Sequence, residues 1–438
     1  MSDINKVKAR TLPGFMELMP DQQILFNKMY DSIRKSYEKF GFIPLDTPVL
    51  ESSEVLLAKA GGETEKQIYR FTKGDTDMSM RFDLTVPLAK YVAMNYGQLT
   101  FPFRRYQMSK VFRGERPQKG RYREFYQCDI DIIGDEELSI LNDAEIPSII
   151  YTTFKDLGFE RFVIRINNRR LLNGFFEELG LKENLSDILR IIDKLEKIGE
   201  EAVVECLKEL NIDNKKISDI ISFMKIDGTS KEIISALENL NISNENFAKG
   251  LEELKQVTNG IISFGIPEEN FKIDLKIARG LDYYTGTVYE TMLTDYPGLG
   301  SVCSGGRYDN LAEYYTNKKL PGVGISIGLS RLFAYLTSEK VIEPKESTTA
   351  KILVVPMVED MNYIFKIAGK IREYGINTEV SYNRKTVKSM LNYANKLQIP
   401  YVVFIGEDEM NNNTITLKNM ESGEQQNIKI ENIETCVK

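Results

Sequence analysis

The chain has 438 residues, enough for roughly three domains of ordinary size, and it is mildly acidic, with 57 Lys+Arg against 64 Asp+Glu. It contains no histidine and no tryptophan, which excludes every mechanism built on a protein imidazole, from Ser-His-Asp triads to His-ligated zinc. The four cysteines, Cys128, Cys206, Cys303 and Cys436, lack CxxC spacing, which argues against a zinc site and a disulfide framework and fits a reducing cytoplasm.

In chain order, the N-terminus MSDINKVKARTLPGF has none of the charged-then-apolar layout of a secretory signal. No apolar run approaches the roughly 20 residues of a spanning helix, so no membrane is expected as a partner. Residues 21–40 place Ile24, Leu25, Met29, Ile33, Tyr37 and Phe40 at helical spacing and stop at Gly41. FIPLDTPVLE follows as an extended stretch whose Pro44 and Pro48 suit strand ends or edges. Residues 99–134 read as paired strands, and 143–158 as a helix closed by Gly158.

From 168 to about 260 the strand signal vanishes. Ile188, Ile192, Leu195 and Ile198 share one helical face with charges opposite, so this stretch is expected to be a helical insertion. Strand alternation resumes with Phe271, Ile273, Leu275 and Ile277. After the polar segment VIEPKESTTA, a strand KILVVP, a helix over about 360–374, INTEVSY, a helix over about 386–397 and YVVFIG alternate. They predict a separate α/β module with a largely parallel sheet.

Three segments carry candidate chemistry. Residues 112–134, FRGERPQKGRYREFYQCDIDIIG, pack Arg113, Arg116, Lys119, Arg121 and Arg123 into one hairpin, against the acidic background. Strand parity then puts Phe125, Gln127, Asp129 and Asp131 on one face and Tyr126, Cys128, Ile130 and Ile132 on the other, which goes to the core. An aromatic ring can stack a base and Arg can fork onto a phosphate, although an exposed basic loop beside an amphipathic strand has the same pattern. In IARGLDYYTGTVYE, Arg279 falls where parity asks for an apolar residue. It needs either an internal carboxylate such as Asp282 or an anionic ligand. In GVGISIGLSRLFAYL the glycines have the wrong spacing for a dinucleotide fingerprint, and Arg331 opens an apolar helix.

These segments, in this order, resemble the class II aminoacyl-tRNA synthetases, and in detail the histidyl-tRNA synthetase family. FRGERPQKGRYREFYQCD is similar to the family's motif 2, GVGISIGLSRL to motif 3 and GFIPLDTPVLE to motif 1 at a dimer interface. RGLDYYTGTVYE is similar to a signature peculiar to the histidine enzymes, and RFDLTVPLAKY and GGRYDNL match further family segments. The resemblance implies an α+β fold: a class II antiparallel-sheet catalytic core at 1–167 and 261–340, a helical insertion at 168–260, a linker at 341–350 and an α/β anticodon-binding domain at 351–438. It implies ligation of L-histidine to histidine tRNA through a histidyl-adenylate, with ATP and Mg²⁺, by a cytoplasmic homodimer that uses neither DNA nor a membrane.

Carried over to this chain, the resemblance makes Arg113 and Arg279 catalytic on the α-phosphate, and gives ATP to Arg113, Glu115, Phe125 and Arg331. Histidine falls to Asp83, Thr85, Arg113, Gln127, Asp131, Arg279, Tyr283 and Tyr284, with Asp83, Thr85 and Gln127 at its α-amino end and Asp131 and the two tyrosines at the imidazole. Arg116 and Gln118 would meet the tRNA acceptor end. Which protein groups hold the metal is not implied. Arg384, Lys385, Lys388 and Lys396 give the last module local positive charge for RNA. The rival reading is a catalytically silent paralogue of the ATP phosphoribosyltransferase regulatory-subunit type, which shares the core and usually lacks the last module.

Overall fold

Apolar residues at every second position from Tyr126 to Ile132 make Glu124–Ile133 a strand, which pairs antiparallel with the ten-residue strand Phe103–Phe112, from Phe103↔Ile133 to Phe112↔Glu124. The computed structural model describes residues 7–58, 63–118, 120–277, 284–382 and 386–437. Arg279, Tyr283, Lys119, Arg384 and Lys385, all singled out above, lie outside the described residues.

The strands run β1 (Ile43–Pro44), β2 (Leu50–Ser52), β3 (Arg70–Lys73), β4 (Thr76–Met80), β5 (Phe103–Phe112), β6 (Glu124–Ile133), β7 (Phe162–Asn168), β8 (Phe271–Ile273), β9 (Thr287–Leu293), β10 (Ser301–Tyr308) and β11 (Gly322–Ile327). Then come β12 (Ile352–Pro356), β13 (Thr378–Val380), β14 (Tyr401–Ile405), β15 (Thr414–Asn419) and β16 (Gln425–Lys429). An eight-stranded sheet has the order β1-β5-β6-β11-β10-β9-β7-β8, and β2-β4-β3 form a small antiparallel sheet. The large sheet is antiparallel except at its margins, where β1 pairs β5 and β8 pairs β7 in parallel. An antiparallel core was expected.

One face of the large sheet is apolar. Cys128, Ile130 and Ile132 of β6 are fully buried there, and the buried hydroxyl of Tyr37 donates to the Cys128 carbonyl at 2.9 Å. The helix Leu141–Asp156 buries Ile146, Ile149, Ile150 and Phe154 completely and ends before Gly158, whose φ of +86° suits glycine. Between Arg169 and Ser263 the described chain is helical. Its first helix, Arg169–Glu178, meets its last, Glu245–Ser263, at backbone distance: a Cβ on Gly174 would stand 2.1 Å from Phe247 N, and one on Gly250 would stand 2.3 Å from Leu171 N.

The alternation from Phe271 to Ile277 overstates β8, which stops at Ile273. The Asp274 side chain accepts from Lys276 N at 3.1 Å and its carbonyl accepts from Ile277 N, so the chain turns while Leu275 and Ile277 stay buried.

The chain divides into two compact units, Met1–Met16 with Tyr30–Glu339, and Glu17–Met29 with Lys340–Lys438. The helical stretch lies inside the first. In the second, β13, β12 and β14 are parallel neighbours, and β15 and β16 extend that sheet antiparallel. The sequence pattern predicted a largely parallel sheet. It missed the closing hairpin because Gln425–Lys429 is polar and largely exposed, leaving no apolar alternation to read.

Candidate active site

The site is built on the sheet's polar face. β6 holds Phe125, Gln127, Asp129 and Asp131 in file on that face, as parity predicts. A cavity of about 460 Å³ opens there, within the usual range for small-ligand sites, and Asp83, Thr85, Arg113, Gln127, Asp131 and Tyr284 all line it. A second cavity, of about 360 Å³, is lined by Arg113, Glu115, Phe125 and Arg331. Arg113 and Gln127 line both, so the two meet at a guanidinium.

Arg113 is fixed from several sides. Its Nε donates to the Phe82 carbonyl at 3.2 Å, its Nη2 reaches Gln127 Oε1 at 3.4 Å, and its guanidinium lies 4.3 Å from the Phe82 ring centre and 5.1 Å from that of Phe125. Gln127 donates onward to Ser326 Oγ at 2.6 Å. Arg331, which also lines both cavities, donates through Nη2 to the Leu299 carbonyl.

Asp83 has a structural task besides any binding. Its Oδ1 accepts from Thr85 N at 3.1 Å and Val86 N at 2.9 Å, capping the helix Thr85–Asn95. That helix packs Leu88, Ala89 and Val92 against Phe103, Ile133 and Tyr308, which sets Asp83 and Thr85 beside the end of β6. Burial pushes the Asp83 carboxyl above the usual carboxylate range, against the pull of those backbone donors. Arg116 and Gln118 are exposed at the hairpin tip, outside both cavities.

Several functional groups escaped the sequence reading. Fully buried Arg105, directly across from Asp131 in the β5–β6 register, brings Nη2 to 2.6 Å from Asp131 Oδ2. Tyr308 donates its hydroxyl to Asp131 Oδ1 at 2.7 Å. Asp129, Ser304, Ser326 and Glu290 complete the wall of the larger cavity. The signals were present: Arg105, Gln107 and Ser109 form a polar file on β5, and Tyr308 sits inside GGRYDNL. Its neighbour Arg307 is structural, gripping fully buried Asp143 at 2.7 Å.

The electrostatics favour a cationic ligand at one end and an anionic one at the other. Burial raises Asp129 to about 7 and Asp131 to about 6, with Arg105 opposing the rise in both. Asp83, Asp129 and Asp131 thus share a wall of the larger cavity with buried Arg105 behind it, while Arg113 and Arg331 line both cavities and Arg121 the second. Among the described residues no cluster of three or more His, Cys, Asp or Glu is arranged to hold a metal ion.

Residues 14–332 match a family model described as histidyl-tRNA synthetase, and residues 351–438 match one described as anticodon binding domain. The chain is 61% identical over 426 residues to the histidine–tRNA ligase of Clostridium tetani (strain Massachusetts / E88), covering 97% of each. Its fold superposes on the crystal structure of histidyl-tRNA synthetase from Nostoc sp. PCC 7120 with a TM-score of 0.91 at 40% identity, covering 99% of each chain. It also shares its fold, at 20% identity and a TM-score of 0.76, with an ATP phosphoribosyltransferase regulatory subunit/histidyl-tRNA synthetase from Bacillus halodurans C, covering 91% of this chain and 99% of that one.

Proposed function

The chain belongs to the histidyl-tRNA synthetase family, and from that premise we infer that it is a histidine–tRNA ligase which activates L-histidine with ATP as a histidyl-adenylate and passes it to tRNA. The observation that carries the adenylate step is the junction of the two cavities: a carboxylate-walled pocket for a cationic amino acid adjoins a pocket with an aromatic ring and guanidinium groups, and Arg113 stands where they meet. A regulatory paralogue without catalysis has no need of that junction, and the 61% identical relative is a ligase.

In this reading, adenine lies between Phe125 and Arg331, with Glu115 also on ATP. Arg113 holds the α-phosphate and the histidine carboxylate. Asp83, Thr85 and Gln127 hold the α-amino end of histidine, and Asp131 and Tyr284 the ring. Arg279 on the α-phosphate and Tyr283 at the ring rest on the sequence resemblance alone. The histidine carboxylate is already ionised, so it attacks the α-phosphorus in line without a protein base, and diphosphate leaves. The chain contributes position and charge neutralisation. A terminal ribose hydroxyl of the tRNA then takes the histidyl group, with Arg116 and Gln118 at the acceptor end.

Mg²⁺ fits the residues present. Mg²⁺ bound through substrate phosphates needs only one or two carboxylates, and Glu115 and Glu290, which line the two cavities, would hold it. When bound it neutralises phosphate charge.

We further propose the core, insertion and anticodon-binding boundaries given above, and a homodimer joined near Pro48. Ile43, Val49, Leu50 and Phe71 are exposed apolar side chains in that region, which supports an interface there. A cytoplasmic location is supported by four unpaired cysteines and by the lack, among the described residues, of any helix long and apolar enough to cross a membrane. Histidine-dependent exchange of diphosphate into ATP tests the enzyme reading. Arg113→Ala should abolish it, and a silent wild-type protein would overturn it.

A further inference from the structure

Tyr284 and Tyr308 both line the larger cavity, and Tyr308 carries its hydroxyl to Asp131. The residues that follow them, Thr285 and Asp309, do not line it, yet they hold each other: Thr285 Oγ1 donates to Asp309 Oδ2 at 2.7 Å. Two tyrosines of one cavity are thus tied together from behind.

The tie is part of a bracket around Thr285. Its N–H donates to the Arg307 carbonyl at 2.8 Å, and the Gly286 carbonyl accepts at 2.8 Å from Arg169 N, at the start of the helix Arg169–Glu178. The Tyr284 ring lies on Gly306, where a Cβ would stand 3.0 Å from Tyr284 Cδ1. Asp309 also has two cationic neighbours, Arg170 Nη2 at 3.7 Å from Oδ2 and Arg307 Nη1 at 3.8 Å from Oδ1. Both are engaged elsewhere, Arg170 with Glu253 and Arg307 with Asp143. With the Asp309 side chain 32% exposed, contacts that long are screened and weakly directing. The hydroxyl bond is short, charge-assisted and directional, so it is the contact that fixes position.

We propose that Asp309 is a positioning residue for histidine binding, which acts through the Thr285 hydroxyl to hold Tyr284 against the substrate ring. This rests on reading the larger cavity as the histidine pocket. Asp309 lies outside that cavity, so its effect passes through Tyr284, and a displacement of about 1 Å in such a group can cost about a hundredfold. None of Tyr284, Thr285, Gly306 and Asp309 lines the second cavity, so ATP binding is expected to be spared.

In diphosphate exchange, Asp309→Ala should raise KM for histidine roughly tenfold or more, with KM for ATP within about twofold of wild type. Asp309→Asn keeps an acceptor for the hydroxyl and should bring KM for histidine back to within about threefold. Thr285→Val removes only the hydroxyl at nearly constant size. It should match Asp309→Ala, and the double variant should be no worse than either alone, because both changes break one bond. A residue that merely stabilises the fold would show neither the split between substrates nor the rescue by asparagine. Unchanged KM for histidine, equal losses for both substrates, an asparagine variant as impaired as the alanine one, or single effects that add each overturn the proposal. If Asp309→Ala does not fold, Thr285→Val against Thr285→Ser decides, since only the valine lacks the donor, and equal KM values for histidine overturn the proposal. Wild-type exchange separates the two failures: exchange present with Asp309→Ala indistinguishable from wild type sinks only the positioning role, whereas exchange absent from wild type sinks the histidine pocket.

Discussion

Arg105 Nη2 stands 2.6 Å from Asp131 Oδ2, with the two side chains 0% and 4% exposed. The approach lies off the ideal hydrogen-bonding line, since neither Asp131 Oδ2 nor the other two guanidinium nitrogens of Arg105 has a hydrogen-bond partner among the described residues. The pair is therefore held mainly by charge. Its cation also offsets Asp129 and Asp83. Arg105→Met would leave buried Asp131 without its partner guanidinium, and breaking such a pair costs about 3–5 kcal/mol. Urea denaturation of the ligand-free protein should show that loss. A variant within about 1 kcal/mol of wild type, the range of an exposed pair, would make Arg105 dispensable.

Gly324 is expected to be intolerant of a single methyl group. Across from Asp131 on β11, a Cβ there would stand 2.3 Å from Asp131 Oδ1 and 2.3 Å from the Ile130 carbonyl oxygen. The backbone oxygen cannot swing away, so the carboxylate must, and overpacking of this kind costs about 1–3 kcal/mol. In diphosphate exchange, Gly324→Ala should raise KM for histidine at least tenfold and leave KM for ATP within about twofold. Equal losses for both substrates would locate the damage at the cavity junction instead.

The second unit offers a test on the RNA side. Tyr382, just past the carboxyl end of β13, is 67% exposed and Phe365 is 48% exposed, with ring centres 6.2 Å apart. Exposed paired rings on a segment matched by an anticodon-binding model suit base stacking, which contributes about 1–3 kcal/mol per base. Tyr382→Ala should raise KM for tRNA about fivefold to a hundredfold in aminoacylation and leave diphosphate exchange unchanged. An unaltered tRNA KM would mean the bases dock elsewhere.

What the sequence made legible follows from how local each signal is. The face of β6 could be read because Cys128, Ile130 and Ile132 alternate with Gln127, Asp129 and Asp131, and period two needs no knowledge of neighbours. The role of Arg105 could not. Its partner is fixed by the β5–β6 register, and FRRYQMSK alone does not show whether a lone Arg on a strand faces solvent or a buried carboxylate. Tyr308 was hidden for the same reason, since β10 reaches Asp131 only by packing beside β11. Asp83 could be singled out from RFDLTVPLAKY, and it does line the larger cavity, but its capping of Thr85–Asn95 depends on a helix start that DLTVPL does not announce.

Asp129 also predicts how stability changes with pH. Its carboxyl moves from an ordinary 3.8 to about 7 in the ligand-free fold, chiefly through burial, with Asp131 and Asp83 adding to the rise and Arg105 and Ser326 opposing it. Between those values the folded chain holds a proton that the unfolded chain has lost, so this group's contribution is full below about 3.8 and disappears as pH rises through about 7. Asparagine does not titrate. The stability of Asp129→Asn relative to wild type should therefore climb from pH 5 to pH 8 and then level off, as read from urea midpoints at each pH. Asp131, raised to about 6, titrates in both proteins and is coupled to Asp129, so the step will be broader than a single ionisation. A gap that is flat with pH would mean that Arg105 keeps Asp129 ionised throughout.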